Sequence, residues 1–159
     1  MNFQEKIVDI NYLIKVVKEE QENSRKVVSI NGCFDLLHPG HLLVLQEAKK
    51  QGDVLVVGLN SDESIKRLKG EGRPINDGFS RCMILSALMM VDFVFIFKED
   101  DPCEYLRILK PDIHVNDASY GEDCIESEIL KEYGGKLHLV EKFDTTSTTE
   151  TINKIINKN

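Results

Sequence analysis

The feature that most constrains this chain is a repeating alternation of short apolar runs with stretches of helical periodicity. The apolar runs cover residues 26–30, 54–59, 93–97, 113–115 and 136–140. The second of them, Val54-Leu-Val-Val-Gly-Leu59, is continuous rather than alternating, as a strand covered on both faces requires. Between the runs lie helical patterns. Residues 3–23 carry Ile7, Ile10, Leu13, Ile14 and Val17 at helical spacing. A second helix starts at Pro39, carries Leu42, Leu43, Leu45 and Ala48, and has Gly52 placed to end it. Further helices are expected over 61–67, with Ser61 as N-cap, and over 79–90, 101–109, 123–133 and 147–157. Strands joined through helices run parallel, with the helices packed on both faces of one sheet. The expectation is an α/β fold in one domain: a five-stranded parallel sheet, with an N-terminal helix in 1–25 ahead of the body at 26–159.

Ligands of such sheets bind beyond the carboxyl ends of the strands, where the strand order switches direction. Attention therefore falls on the segments after residues 30, 59, 97, 115 and 140. Bulk properties narrow the kind of ligand. The formal net charge of −7 argues against broad nucleic-acid binding. No apolar run approaches the ~20 residues of a membrane helix, and no basic-then-apolar leader opens the chain. The cytoplasm is the expected location. Cys33, Cys82, Cys103 and Cys124 form no C-x-x-C pair and read as reduced packing thiols rather than a metal site. One stretch runs against the acidic average: Lys66, Arg67, Lys69 and Arg73 cluster as cations.

The most informative stretch follows the first apolar run, Asn31-Gly-Cys-Phe-Asp-Leu-Leu-His38-Pro-Gly40-His41. Gly32 has no Cβ where the chain turns or nears a ligand. Gly40 sits in the first turn of the next helix, where free N–H groups and the helix dipole favour an anion. His38 and His41 stand three apart, so in that turn their imidazoles lie side by side and can donate hydrogen bonds to phosphate oxygens. A lone histidine would more simply be a surface residue, but His-x-Gly-His after a strand and a glycine loop is a specific pattern.

With these residues the sequence resembles the nucleotidyltransferase superfamily marked by an H-x-G-H motif. Within it, it is similar to the adenylyltransferase domains of bacterial ADP-heptose synthases and to glycerol-3-phosphate cytidylyltransferases. The resemblance rests on NGCFDLLHPGH at 31–41, GLNSDESIKRLKGEGRP at 58–74, Arg81, and Ser-Thr-Thr at 147–149. It implies a Rossmann-like domain that moves a nucleoside monophosphate from ATP or CTP to a phosphorylated small molecule and releases pyrophosphate. It further implies His38, His41, Lys69 and Arg81 as catalytic residues. Asn31, Gly32, Cys33, Phe34, Gly40, Asn60, Arg73, Ser147, Thr148 and Thr149 would contact the nucleotide, and Asp35, Asn116 and Tyr120 would face the acceptor. Asp35 has a plainer alternative, orienting its own loop. Mg²⁺ would accompany the triphosphate, and no carboxylate cluster announces a protein cage for it. The family also implies a homodimer, which an apolar face on helix 79–90 would suit. No nucleophilic side chain is needed, because the acceptor phosphate is itself largely dianionic near neutral pH.

The departures from the family lie on one side. Where relatives carry Lys-Gly-Gly-Asp-Tyr or a similar segment after the fourth strand, this chain reads Asn116-Asp-Ala-Ser-Tyr120, and Thr145 replaces a glycine. Three readings follow: an ATP-dependent heptose-phosphate adenylyltransferase, a cytidylyltransferase with glycerol 3-phosphate or another phospho-acceptor, and a nucleotide-binding protein without turnover. His114 and His138 read as packing residues within strands, and Met83, Met89 and Met90 as core or interface residues.

Overall fold

The chain alternates as its apolar runs require. The computed structural model describes residues 2–141, 143 and 147–157. Five strands, β1 (Val27–Gly32), β2 (Val54–Asn60), β3 (Phe93–Phe97), β4 (Ile113–Asp117) and β5 (Lys136–Val140), form one parallel sheet in the order β3-β2-β1-β4-β5. Chain order proceeds outward from β1 in one direction and then, at β4, in the other. The switch point therefore lies between the carboxyl ends of β1 and β4.

Among the described residues seven α-helices cover the faces: α1 (Ile10–Glu22), α2 (Pro39–Lys50), α3 (Asp62–Lys69), α4 (Gly78–Ser86), α5 (Cys103–Leu109), α6 (Ile125–Tyr133) and α7 (Thr148–Ile156). All of β2 is buried, as its continuous apolar run demands. Alternate strand residues feed two cores. Val28, Ile30, Leu55 and Val57 pack with Leu45 of α2 and Leu85 of α4. Val27, Val54 and Val56 pack with Leu13 and Val17 of α1, Leu106 of α5 and Ile129 of α6. Burying each such side chain is worth about 1.5–3 kcal/mol, so α1 is held into the sheet by its apolar stripe.

Several boundaries differ from the sequence expectation. The helix expected over 3–23 is broken: a 3-10 turn at Phe3–Lys6 is followed by an extended stretch in which Ile7 bridges β3 at Val94. Val8 N–H donates to the Val94 carbonyl at 3.0 Å, and Asp9 then caps α1 by accepting from Tyr12 N–H at 2.9 Å. Helical periodicity cannot reveal that the sheet edge takes those hydrogen bonds. β1 runs on to Gly32 and β4 to Asp117, so Asn31, Gly32 and Asn116 sit on strand ends, not in loops. α4 stops at Ser86, leaving Met89 and Met90 beyond it. Gly52 matters through proximity: a Cβ there would stand 2.7 Å from Val28 Cγ2 and 2.8 Å from the Lys26 carbonyl. Among the described residues no helix is long and apolar enough to cross a membrane.

Candidate active site

The carboxyl end of β1 delivers the segment 33–38 to the mouth of the switch point, and its neighbours brace it from three directions. Phe34 adopts a left-handed backbone (φ +44°) and is buried. Asp35, also buried, accepts from Ile75 N–H at 2.8 Å and Asn76 N–H at 2.9 Å, and pairs with Arg73 Nε at 2.6 Å. Burial pushes this carboxyl upward, but the two amides and the guanidinium outweigh it and hold it below the ordinary value. Thr148 Oγ1, in the first turn of α7, donates to the Leu36 carbonyl at 3.1 Å. The starts of α2 and α7 therefore converge on one loop.

His38 is the N-cap of α2, Pro39 its first residue, and Gly40 is buried behind it. The His38 and His41 rings lie 3.7 Å apart between centroids, tilted by 34°. His38 N–H donates to His41 Nδ1 at 3.3 Å. A backbone amide can only donate, so Nδ1 carries the lone pair and the ring proton sits on Nε2. Burial, helped by the neighbouring His38, pulls His41 down to about 4, and burial also lowers His38 while Glu150 of α7 pulls it the other way. Near pH 7 His41 is thus a neutral Nε2–H donor. His38 Nδ1 is shielded from solvent and has no partner among the described residues.

Arg81 stands behind the loop, at the ends of β1 and β2. Its guanidinium is fully buried and donates to Asn76 O at 3.2 Å, Cys33 O at 2.7 Å, Asn60 O at 2.9 Å and Asp62 Oδ1 at 2.7 Å. A buried cation needs such partners, and with them met it ties the ends of β1 and β2 to the starts of α3 and α4. In this structure the guanidinium is directed at those four acceptors behind the loop. Asn60 supports it: its carbonyl takes Arg81, its Nδ2 donates to Ser64 Oγ at 3.2 Å, and the residue is 4% exposed. The Asp35 carboxylate is bonded to Arg73, Ile75 and Asn76, an arrangement that orients its own loop.

The cation cluster divides. Arg67 pairs with Asp100 at 2.6 Å and Arg73 with Asp35, whereas Lys66 and Lys69 are exposed in the last turn of α3, without an ion pair among the described residues. Burial raises the half-buried Cys33 thiol, and the charges of Lys69, Arg81 and Arg73 oppose that rise, so these three cations bear on the same loop. Asn31 Oδ1 accepts from Tyr105 OH at 3.3 Å. On the far side of the crevice, Asn116 Oδ1 accepts from Asp117 N–H at 3.0 Å, its Nδ2 is shielded and unpartnered, and Tyr120 stands exposed on the 3-10 turn Ala118–Tyr120. Ser147 caps α7: its N–H donates to Glu150 Oε2 at 2.9 Å and its Oγ accepts from Glu150 N–H at 3.2 Å, while Thr149 is exposed. Thr145 lies outside the described residues.

Sequence reasoning missed Asp62, Asn76 and Glu150. Only Glu150 left a readable signal, the Ser-x-x-Glu capping box of residues 147–150. His114 is buried as expected, its Nδ1 2.8 Å from Ser29 Oγ, and burial lowers it to about 3. A cavity of about 300 Å³ lined by Lys110, Asp112 and Tyr133 lies at the amino ends of β4 and β5, away from the histidines.

Residues 29–155 match the cytidylyltransferase-like family, and the chain belongs to that family. It is a nucleotidyltransferase. The bifunctional protein HldE of Geobacter metallireducens is 45% identical over 152 residues, covering 95% of this chain and 31% of the relative. HldE of Campylobacter fetus is 47% identical over 154 residues, covering 96% and 32%. The chain thus spans about a third of the length of these relatives. A solved lipopolysaccharide core biosynthesis protein from Thermoplasma volcanium is 34% identical with a TM-score of 0.61, covering 76% of this chain and 99% of that one. A pantoate-beta-alanine ligase from Francisella tularensis, 16% identical with a TM-score of 0.66 over 96% of this chain and 76% of its own, shares the fold.

Among the described residues no group of three or more His, Cys, Asp or Glu is arranged to hold a metal ion. Asp35, the acid in the loop itself, has its oxygens taken by Arg73, Ile75 and Asn76. These residues make no cage for magnesium.

Proposed function

We propose that the chain moves a nucleoside monophosphate, AMP by preference, from its triphosphate to a sugar phosphate such as D-glycero-β-D-manno-heptose 1-phosphate, and releases pyrophosphate. An oxygen of the acceptor phosphate bonds to the α-phosphorus, the bond from that phosphorus to the β-phosphate bridging oxygen breaks, and its electron pair leaves with pyrophosphate. The observation that carries this reading is the His38–His41 pair at the start of α2, with the proton of His41 held on Nε2. Such a donor meets charge that builds on phosphoryl oxygens without itself needing to ionise. Lys69, exposed beside the loop, supplies mobile positive charge, and the start of α7 with Ser147, Thr148 and Thr149 adds hydroxyls and helix N–H groups toward the outer phosphates. Magnesium would enter as the counter-ion of the triphosphate.

The sugar-phosphate acceptor draws support from the HldE relatives and from the lipopolysaccharide core biosynthesis protein. The second reading, a cytidylyltransferase acting on glycerol 3-phosphate or another acceptor, is favoured by the neutral Asn116 at the end of β4, where the family places a lysine. Exposed Phe79 and Ile84 of α4, with exposed Met89 just beyond its end, support pairing of two copies there, and a cytoplasmic location suits these substrates. Pyrophosphate release with magnesium, using ATP and CTP against heptose 1-phosphate, glycerol 3-phosphate and other sugar phosphates, tests the reading. Turnover with ATP and heptose 1-phosphate is expected. Turnover with CTP alone would establish the second reading, and silence with every pair would overturn both.

A further inference from the structure

We propose that Phe34 is a positioning residue for His41, and that Gly32 exists to give the Phe34 ring its place. Phe34 takes the left-handed backbone that side chains with a Cβ rarely adopt, at φ +44°. That turn sends an aromatic ring inward, to 6% exposure, next to the likewise buried Asp35. The ring centroid lies 5.1 Å from that of His41 with the planes tilted by 45°, and His41 in turn lies 3.7 Å from His38. Beneath the ring is the end of β1: a Cβ added at Gly32 would stand 3.1 Å from Phe34 Cε2 and 3.4 Å from Cδ2. Gly32 therefore leaves room for a ring, which is a different duty from a tight turn.

The consequence falls on His41. One side of its imidazole rests on an apolar surface, while His38 N–H holds Nδ1. Rotation is restricted, and Nε2–H is left as the group that meets a ligand. The ionisable groups nearby are His38 at the start of α2, Glu150 of α7, which acts on His38, and Cys33 and Asp35 of the loop, with Lys69, Arg73 and Arg81 bearing on Cys33. Burial, with the charge of His38 second, lowers His41, and the Phe34 ring at 5.1 Å is part of the apolar surface that buries it.

The test uses the full chain without ligand, with ring-nitrogen NMR following His41 across pH in the wild type and in Phe34→Leu, Phe34→Ala and Gly32→Ala. The wild type is expected to titrate near 4 as the Nε2–H tautomer. Phe34→Ala should move the midpoint of His41 toward the ordinary value of about 6.5 and admit the other tautomer. Gly32→Ala, which keeps the phenyl ring but displaces it, should move it the same way, and Phe34→Leu by less. Circular dichroism selects the variants that fold, and Phe34→Leu and Gly32→Ala serve if Phe34→Ala does not. In the kinetic arm, which rests on the transfer reading, kcat should fall about tenfold with KM for the triphosphate little changed. An unmoved His41 in folded variants overturns the inference even if turnover is seen. A moved His41 with no turnover sinks the transfer reading and leaves the inference standing.

Discussion

The two sides of the crevice are built differently. The segment after β1 is held by long-range bonds: Cys33 O to Arg81, Asp35 to Arg73, Ile75 and Asn76, and Leu36 O to Thr148 of the last helix. Among the described residues, side-chain hydrogen bonds of 116–120 reach only near neighbours, Asn116 to Asp117 and Asp117 to Ser119, and Tyr120 is exposed. On the proposed transfer, the braced side would meet the part of the reaction common to every acceptor, where misplacement by about 1 Å can cost 10²-fold in rate. The loosely held side can change sequence without disturbing that geometry, and it is where this chain departs from its family.

Four substitutions test this contrast. His41→Ala should lower kcat by about 10²–10³, the scale of one lost transition-state donor, in a steady-state assay; full activity would remove His41 from the chemistry. Asp35→Asn takes the charge from a pair whose acid is 1% and whose base is 17% exposed. Denaturant unfolding should show a loss of about 3 kcal/mol, and kcat should fall about tenfold as the 73–76 segment loosens.

The third is a pH effect. His114 and His41 are lowered to about 3 and about 4 in the folded chain, but titrate near 6.5 when unfolded. As pH falls below that value the unfolded chain binds protons first, so stability drops by up to about 1.4 kcal/mol per pH unit for each histidine. Asp35 adds to the loss only at lower pH, because its folded value lies below the ordinary carboxylate value. His114→Gln should flatten the slope of unfolding free energy between about pH 6.5 and 4; an unchanged slope would mean that His114 is charged or exposed. The smallest effect belongs to the looser side. Asn116→Lys should change KM for the acceptor several-fold and leave KM for the triphosphate alone; the reverse pattern would exchange the roles assigned to the two sides.

What was legible in the sequence follows from what is local. The alternation of apolar runs and helical spacing is written along the chain, so the parallel sheet and its seven helices could be read. The break at Ile7–Asp9 could not, because it depends on the edge of β3 meeting Ile7 and Val8. His-x-Gly-His places two rings in one helical turn by spacing alone, and the structure does the same. Arg81 and Asp35 show the limit: a motif marks a charged residue as important, but not whether its charge faces a ligand or the loops behind it. Both turned inward, because carbonyls, amides and opposite charges, most of them 19 to 48 residues away in sequence, take up their hydrogen bonds.

The most direct test follows the label of ATP through one reaction with magnesium and heptose 1-phosphate, using ³²P at the α or the γ position in parallel. Transfer as described puts the α-label into a sugar nucleotide and the γ-label into pyrophosphate. A γ-label on the sugar, or an α-label that stays in free adenine nucleotide while the acceptor is consumed, would contradict it.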